Sequence, residues 1–351
     1  MKFLENNTSK KSTDYLYILQ IFRGFAALMV VVCHLAYSLR TYQNITNDCL
    51  KFVNSFGGYG VDFFFVLSGF IISYSVSQSN SPFKNYITNR ILRIYTPFLP
   101  FSIFMIFFKT YVGQITNYSI LRSLTLFPYG DDVIGLTWTL SFEMMFYILF
   151  GLSFISKRTW NFFIAGWATL IIFVNYISPP YMLKYYQSTL IMLSPFNLEF
   201  ILGYLLSVIY IKKISINKII QFTLIITPLL LSICLIYLNI HLFAMDSRLF
   251  FALFCFFLMY YALFNLKSIK KSKFVIFLLL IGDASYSIYI IHFPILKLVI
   301  EYFPVNNKII YGAMLLLLFV FVIAVAIIYS WIFEKYVFNK AKKLIFTKLL
   351  K

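Results

Sequence analysis

Residues 16–39 read LYILQIFRGFAALMVVVCHLAYSL, an apolar stretch that contains one arginine and one histidine. A run of about 20 apolar residues is long enough to cross a bilayer as a helix. Arg23 and His34 are eleven residues apart, roughly three helical turns, so they share one helix face about 16 Å apart along the axis. Ionisable side chains inside a membrane span are costly and usually functional. This stretch therefore predicts both a membrane fold and a site within it.

The rest of the chain has the same apolar character. Of its 351 residues, 61% are hydrophobic and 12% are charged, whereas soluble domains are about half apolar and a quarter charged. We predict an all-α, polytopic integral membrane protein whose connections are too short for a separate soluble domain, so that 1–351 forms a single transmembrane domain. Ten transmembrane helices are predicted, over 16–39, 58–78, 94–108, 134–155, 160–179, 190–211, 217–238, 247–265, 274–296 and 309–333.

The basic residues predict the orientation of the chain. The formal net charge of +18 could indicate a nucleic-acid partner, but 21 of the 30 basic residues fall in segments on the side of the N-terminus. This is the positive-inside bias. It predicts a cytoplasmic N-terminal segment (1–15), a basic cytoplasmic tail (335–351), contact with anionic membrane lipid and no nucleic-acid partner. The first apolar run is too long for a cleavable signal, and the four cysteines show neither a disulfide nor a metal spacing.

A glycine-rich run, residues 57–69, opens the second predicted span and carries Asp62. The first span ends and the second begins on the same side, so Asp62 and His34 are expected at similar depth on neighbouring helices. An aspartate beside a histidine can orient the imidazole and stabilise its charged form. We therefore predict that Asp62 orients His34. The glycines would let the helices approach closely.

Arg90 and Arg93 precede the third predicted span, which Pro97 and Pro100 interrupt. Spaced three residues apart, the two guanidiniums would share a helix face at the cytoplasmic surface. Ordinary anchoring at the membrane surface explains them as well as function does. The functional hypothesis is a phosphate clamp, because the planar guanidinium bonds two phosphate oxygens at once. Lys84 is a further candidate for this clamp.

Acidic and aromatic residues inside other spans also need partners, because lipid offers none. Glu143, in the run 138–147, should face the bundle interior and pair with an arginine or with a sugar hydroxyl. Tyr289 and His292 lie one turn apart in the ninth span, where packing explains them as well as function does. Three further acids are expected to pair across helices or to cap a span at least as readily as to function: Glu199, Asp283 and Glu334.

Five runs in this chain together resemble signatures of the membrane-bound acyltransferase 3 family and occur in the family's order. They are an arginine and a histidine separated by ten residues, a Gly-Val-Asp-Phe-Phe run, an Arg-x-x-Arg-Ile run, a Trp-x-Leu-x-x-Glu run and a Ser-Tyr-x-x-Tyr-x-x-His run, here at 23–34, 60–69, 90–94, 138–147 and 285–292. The chain departs from the family at Asn89, where many members have a further arginine, and at Thr96, where proline is common.

The resemblance implies ten spanning helices and transfer of an acyl group, usually acetyl, from a coenzyme A thioester to a sugar. Typical acceptors are bacterial surface polysaccharide, lipopolysaccharide or peptidoglycan, which implies a plasma (inner) membrane location in a bacterium. Acyl-CoA is then the donor substrate, and no cofactor is bound permanently. His34 corresponds to the family's catalytic base or acyl relay, whereas Arg23, Arg90 and Arg93 correspond to arginines linked to activity and donor binding.

The mechanistic hypothesis assigns catalysis to His34, Asp62 and Glu143 and donor binding to the three arginines. The pantetheine arm would enter the bundle past Arg23, and the depth of His34 favours an acceptor at the outer leaflet. Ten spans with buried charge also fit a secondary transporter or flippase of a glycan-related solute, although we find no inverted repeat. A non-catalytic scaffold subunit of a polysaccharide machine is a third hypothesis.

Overall fold

The first apolar stretch forms a single long helix. The computed structural model describes residues 10–43, 48–79, 81–115, 117–128, 132–177, 191–238, 246–266, 272–302 and 308–349. Helix α1 (Lys10–Gln43) carries Arg23 and His34 without a break. The face that the two residues were predicted to share therefore exists as a continuous surface of one helix. The predicted terminal segments lie partly outside the described residues, at 1–9 and 350–351.

Helices account for nearly all of the described residues, and no strand occurs among them. The predicted all-α fold is thereby confirmed. The helices that follow α1 are α2 (Asp48–Gly57), α3 (Gly60–Ser77), α4 (Phe83–Tyr111), α5 (Asn117–Thr125), α6 (Trp138–Phe150), α7 (Lys157–Ile172), α8 (Phe196–Ile211), α9 (Lys218–Leu238), α10 (Asp246–Asn265), α11 (Lys273–Asp283), α12 (Ser285–Tyr302), α13 (Lys308–Tyr329) and α14 (Phe338–Leu349).

Six helical stretches of the described chain are long and apolar enough to cross a membrane, and the bent pair α11–α12 makes a seventh if it counts as one span. The predicted spans 134–155 and 190–211 correspond to shorter apolar helices, Trp138–Phe154 and Phe196–Ile211. The span predicted over 160–179 corresponds to α7 and a π-helical turn, Phe173–Ile177; residues 178, 179 and 190 lie outside the described part. Helices of this length and composition make the chain an integral membrane protein.

The predicted ninth span, 274–296, is not one straight helix. It breaks after Asp283, and α11 and α12 meet at an angle of 73°. The carboxylate at the break is held on two sides. Gln20 Nε2 donates to Asp283 Oδ1 over 2.5 Å, and Lys335 Nζ lies 3.2 Å from Asp283 Oδ2. The bend turns the first residues of α12 toward the interior of the bundle, where they line a cavity.

The two prolines of the predicted third span do not end the helix. Helix α4 continues through Pro97 and Pro100 and starts well before them, so Arg90 and Arg93 lie inside it. The hydroxyl of Tyr329 donates to the Pro97 carbonyl over 2.6 Å. Prolines are tolerated in membrane helices because neighbouring groups can satisfy the backbone that they disturb. The helix can therefore present both arginines to its neighbours at a fixed spacing.

Glycines bring α3 unusually close to its neighbours. A Cβ atom on Gly69 would lie 2.1 Å from the Phe200 carbonyl oxygen, and one on Gly203 would lie 2.1 Å from the Val66 carbonyl oxygen. A Cβ atom on Gly60 would come within 2.4 Å of a backbone oxygen of α1. No larger residue fits at these positions unless the helices separate. The close approach predicted from the glycine-rich run is confirmed.

An aromatic cluster fixes the inner face of α3 against α6 and α8. The ring of Phe200 stacks on Phe65 and on Phe146, at centroid distances of 4.5 and 4.8 Å. Phe65 also contacts Phe142 at 5.9 Å. Stacked and tilted rings at these separations add to the stability gained from burial alone. They give the adjacent cavity one rigid wall, to which Phe65 contributes.

Candidate active site

A cavity lies inside the bundle between α1, α3, α4, α6 and α12. The space free of protein atoms, including the part open to solvent, is about 760 Å³. Four residues predicted as part of the site line it: Arg23, Arg90, Arg93 and Glu143. Other polar lining residues are Ser68, Thr139, Tyr147, Ser285, Tyr286 and Tyr289. Mostly apolar walls with a few convergent charged groups are typical of small-molecule sites.

The charge of this cavity is predominantly positive. Three arginines and one glutamate are its charged lining residues within the described chain. The ion pairs found within 4.0 Å among the described residues involve none of these four side chains. Arg23 Nη1 instead donates to Gln20 Oε1 over 3.4 Å. A cavity in which the described residues supply more guanidiniums than carboxylates is suited to a multiply charged anion.

Arg90 is positioned by neutral groups. Its Nη2 donates to Ser75 Oγ over 2.6 Å, and its guanidinium lies over the rings of Tyr86 and Tyr147 at 5.6 and 5.4 Å. Such contacts orient the cation without neutralising it. Arg93, one turn further along α4, lines the same cavity. Both arginines line one cavity, as their spacing on a shared helix face predicts, and their position at the membrane surface stays a prediction.

Glu143 faces the bundle interior, as predicted. Its Oε1 accepts a close hydrogen bond from the Tyr147 hydroxyl and a longer one, 3.4 Å, from Ser68 Oγ. The predicted ion pair with an arginine is not found within 4.0 Å among the described residues. Glu143 therefore moderates the positive charge of the cavity from its wall, and its carboxylate is held by two hydroxyl groups.

His34 lies outside the cavity lining, between α1 and α12. Its Nδ1 is 2.9 Å from the Val30 carbonyl oxygen and 3.1 Å from Nε2 of His292. The ring of Phe293 packs on it at 4.9 Å. Among the described residues these contacts engage only Nδ1. His34 is partly accessible, while His292 is fully buried.

Tyr289 connects the cavity with the histidine pair. Helices α1 and α12 run alongside each other from the arginines toward the histidines, and α12 carries Tyr286, Tyr289 and His292 at intervals of three residues on one face. Both tyrosines line the cavity, and the Tyr289 ring is 6.0 Å from that of His292. The Tyr289 hydroxyl accepts from Thr139 over 2.8 Å and is thereby held in place. The side chain of Tyr289 therefore lies between the cavity that it lines and the ring of His292.

Asp62 does not orient His34, and that prediction is wrong. The carboxylate is fully buried and lies 2.9 Å from both Nε and Nη2 of Arg248, one oxygen to each nitrogen. A bidentate pair of this kind occupies both oxygens. Arg248 is also stacked over Phe196 at 4.7 Å. The residue adjacent to the His34 ring is His292 instead.

Both corrections have a signal in the sequence. Arg248 lies at the start of the apolar stretch 247–265, and an acid buried in a span needs a cation partner, which makes Arg248 a candidate partner for Asp62. From the sequence alone, packing and function explain His292 equally well. Its spacing of three residues from Tyr289 was the available signal that it shares a face with the cavity residues.

The other acids predicted within the spans also have partners. Asp283 pairs with Lys335 at 3.2 Å. Glu334 accepts from the backbone N–H of Ser287 over 3.0 Å, near the start of α12, as a capping carboxylate does. Glu199 is buried beside Asp62. The expectation that these acids pair across helices or cap a helix is met for Asp283 and Glu334.

The chain matches the profile of a known protein family. The profile of the acyltransferase 3 family, described as an acyltransferase domain, matches residues 16–335. The chain belongs to this family. The match spans nearly the whole acyltransferase and includes all five signature runs. No curated protein and no solved structure matches this acyltransferase in the corresponding comparisons.

Proposed function

We propose that this acyltransferase moves an acyl group, acetyl in the first instance, from acyl-CoA to a hydroxyl of a sugar in a surface polysaccharide, lipopolysaccharide or lipid-linked glycan. The observation that carries this proposal is the cavity lined by Arg23, Arg90 and Arg93. Coenzyme A presents several phosphates, and guanidiniums bind phosphate oxygens in pairs. Three guanidiniums and one carboxylate among the described lining residues leave an excess of positive charge, which is expensive inside a membrane protein unless a ligand neutralises it.

The orientation of the site supports a donor from the cytoplasm. Helix α4 presents the arginines in its first turns, and the basic helix α14 packs against α4. Basic residues mark the cytoplasmic side. We therefore place the arginine end of the cavity and both termini in the cytoplasm, within a ten-span arrangement in which the shorter helices complete the bundle. The proposed location is the plasma (inner) membrane of a bacterium.

His34 is the proposed catalytic base. With Nδ1 engaged, Nε2 is the nitrogen that removes the proton from the acceptor hydroxyl, whose oxygen then attacks the thioester carbonyl. The tetrahedral intermediate expels the coenzyme A thiolate, which takes the proton back from His34. In the alternative acyl relay, Nε2 attacks the thioester first and the acceptor oxygen then takes the acyl group from the imidazole.

Both versions require the donor to reach across the bundle. Arg23 and His34 are roughly 16 Å apart along α1, and the flexible pantetheine arm would bridge this gap past Tyr289. The acceptor then approaches from the far side of His34, at the outer leaflet. Glu143, predicted as catalytic, lines the arginine cavity, and we propose that it sets the charge of the donor site.

Membranes containing the full chain and supplied with acetyl-labelled acetyl-CoA test the proposal. We expect label to enter a glycan, and we expect His34→Ala to abolish that transfer while the protein remains in the membrane at normal abundance. Tyr37→Ala is the matched control, since Tyr37 lies one turn further along α1 and is 41% exposed. Acid-quenched protein that carries acetyl on His34 would select the relay over the base.

Two results would contradict the proposal. If the His34→Ala variant transferred acetyl as fast as the wild type, the imidazole would have no role in the reaction. Movement of an unmodified glycan-related solute, without any labelled product, would identify a transporter instead. Comparison of surface-glycan masses with and without the protein then identifies the acceptor, as a gain of one acetyl group per modified hydroxyl.

A further inference from the structure

The buried histidine next to the proposed base has a defined hydrogen-bonding state. His292 is fully buried, and its Nδ1 lies 2.8 Å from the backbone carbonyl oxygen of Ile288, one turn earlier in α12. A carbonyl oxygen can only accept, so this Nδ1 must carry the hydrogen. In the neutral ring, Nε2 of His292 is then a hydrogen-bond acceptor.

That acceptor determines the hydrogen on His34. Nδ1 of His34 is 3.1 Å from Nε2 of His292 and 2.9 Å from the Val30 carbonyl oxygen. Both neighbours accept, so Nδ1 of His34 must be the donor. Because a neutral imidazole has one N–H group, Nε2 of His34 keeps its lone pair. This is the tautomer that a general base acting through Nε2 requires.

The opposite placement of the hydrogen, with Nε2 of His292 as the donor, is incompatible with the same contacts. A hydrogen on Nε2 of His292 would have to be donated to a lone pair on Nδ1 of His34. That lone pair would then face the Val30 carbonyl oxygen at 2.9 Å, two acceptors in contact. The His292 ring would also carry a positive charge in a fully buried position, where a charge needs a partner of opposite sign. The side chain of α1 that lies beside it is another histidine, His34, which supplies no negative charge.

We propose that His292 is a positioning residue that fixes the tautomer and ring orientation of His34, the task predicted for Asp62. This inference rests on the proposed role of His34 as the base or relay. Both oxygens of Asp62 are instead engaged by Arg248 of α10. A neutral histidine differs from a carboxylate in that it orients the base without placing a negative charge beside it.

The loss of rate expected when His292 is replaced depends on the second hydrogen-bond acceptor near Nδ1 of His34, the Val30 carbonyl oxygen. In an aspartate–histidine pair, loss of the carboxylate leaves the wrong tautomer and costs about 10⁴-fold in rate. Here the Val30 carbonyl oxygen remains when His292 is replaced, so part of the preference survives. Removal of outer partners that orient a functional histidine typically costs about 10- to 100-fold, and we expect a loss in that range.

Two variants isolate the acceptor atom. His292→Phe keeps a ring of similar shape but removes the acceptor, whereas His292→Gln can present its amide oxygen to Nδ1 of His34. We expect His292→Phe to lower kcat about 10- to 100-fold with the KM for acetyl-CoA unchanged, because the arginine cavity is intact. His292→Gln should recover most of the lost rate. A purely packing role predicts the reverse, with the phenylalanine variant the more active.

The decisive measurement does not depend on activity. The chain has three histidines, so ¹⁵N-histidine labelling of the full detergent-solubilised protein gives three imidazoles, and His34→Ala identifies the signals of His34. We expect a protonated Nδ1 and an unprotonated Nε2 at His34, and a shift toward the other tautomer in His292→Phe. A hydrogen on Nε2 of His34 in the wild type, or no change in the variant, would overturn the proposal.

If His34→Ala still transfers acetyl, the proposed catalytic role fails instead, and the tautomer result stands separately.

Discussion

Two groups of arginine side chains inside this bundle differ in what neutralises them. Arg248 makes a bidentate pair with Asp62 at 2.9 Å and stacks on an aromatic ring. Arg23, Arg90 and Arg93 line a cavity, and no ion pair within 4.0 Å involves them among the described residues. Arg23 and Arg90 donate to the neutral side chains of Gln20 and Ser75, and the glutamate that lines the same cavity is held by hydroxyl groups.

The difference separates structure from function. A buried ion pair that is fully hydrogen-bonded satisfies both charges and leaves neither for a ligand, and removal of one partner leaves an uncompensated charge. Guanidiniums that remain partly accessible and unneutralised do not stabilise the fold by pairing. We infer that the ion pair of Arg248 with Asp62 holds α3 against α10. We infer that the three cavity arginines bind an anionic donor instead. Three substitutions test this inference.

The largest expected effect is on stability. Arg248→Ala leaves the buried Asp62 carboxylate without its partner, which typically costs about 3–5 kcal/mol. We expect a marked fall in the midpoint of thermal unfolding of the detergent-solubilised protein. Lys51→Ala is the control, because it removes a pair whose side chains are 55% and 97% exposed and should change nothing measurable. An unchanged midpoint in Arg248→Ala would show that the pair does not hold the helices together.

An intermediate effect is expected on donor binding. Arg93→Ala removes a charged donor worth about 1.5–3 kcal/mol, which corresponds to roughly 10- to 100-fold in affinity. We expect the KM for acetyl-CoA to rise by that factor with the unfolding midpoint unchanged. Arg158→Ala, an exposed arginine beside the ring of Phe162, should leave the KM as it is. A loss of stability without a change in KM would move Arg93 into the structural group.

The smallest expected effect is that of Glu143→Gln. The amide can still accept from Tyr147, but the repulsion between the carboxylate and the donor phosphates is lost. A single charge beside a partly solvated cavity contributes on the order of 1 kcal/mol. We therefore expect the KM for acetyl-CoA to fall by less than about tenfold, more at low salt than at high salt. A rise in KM would mean that the carboxylate contacts the substrate directly.

Local patterns predicted a large part of this site. The shared face of Arg23 and His34 and the common direction of Arg90 and Arg93 follow from the helical period within short segments. The break after Asp283 is not predicted from the short polar interruption at 282–287, because the contacts that hold it come from Gln20 and Lys335 on other parts of the chain.

The partners of the charged residues could not be predicted in the same way. Asp62 and Arg248 are 186 residues apart in the chain, and His34 and His292 are 258 apart. Asp62 is a reasonable partner for His34 because the two residues are predicted at similar depth in the membrane. Depth in the membrane alone does not determine which neighbouring helix a side chain faces. Asp62 faces Arg248 on α10, and the side chain that lies beside His34 is His292 on α12.

The sequence by itself determined that this chain is a membrane protein of apolar helices and which residues share each helix face, because span length and helical period are local properties. Only the tertiary structure decided which charges pair with one another, which line the cavity, and which residue lies beside the proposed base. Those choices depend on how helix faces meet across the bundle, where close packing at glycines and a single bend decide which side chains come within hydrogen-bonding distance.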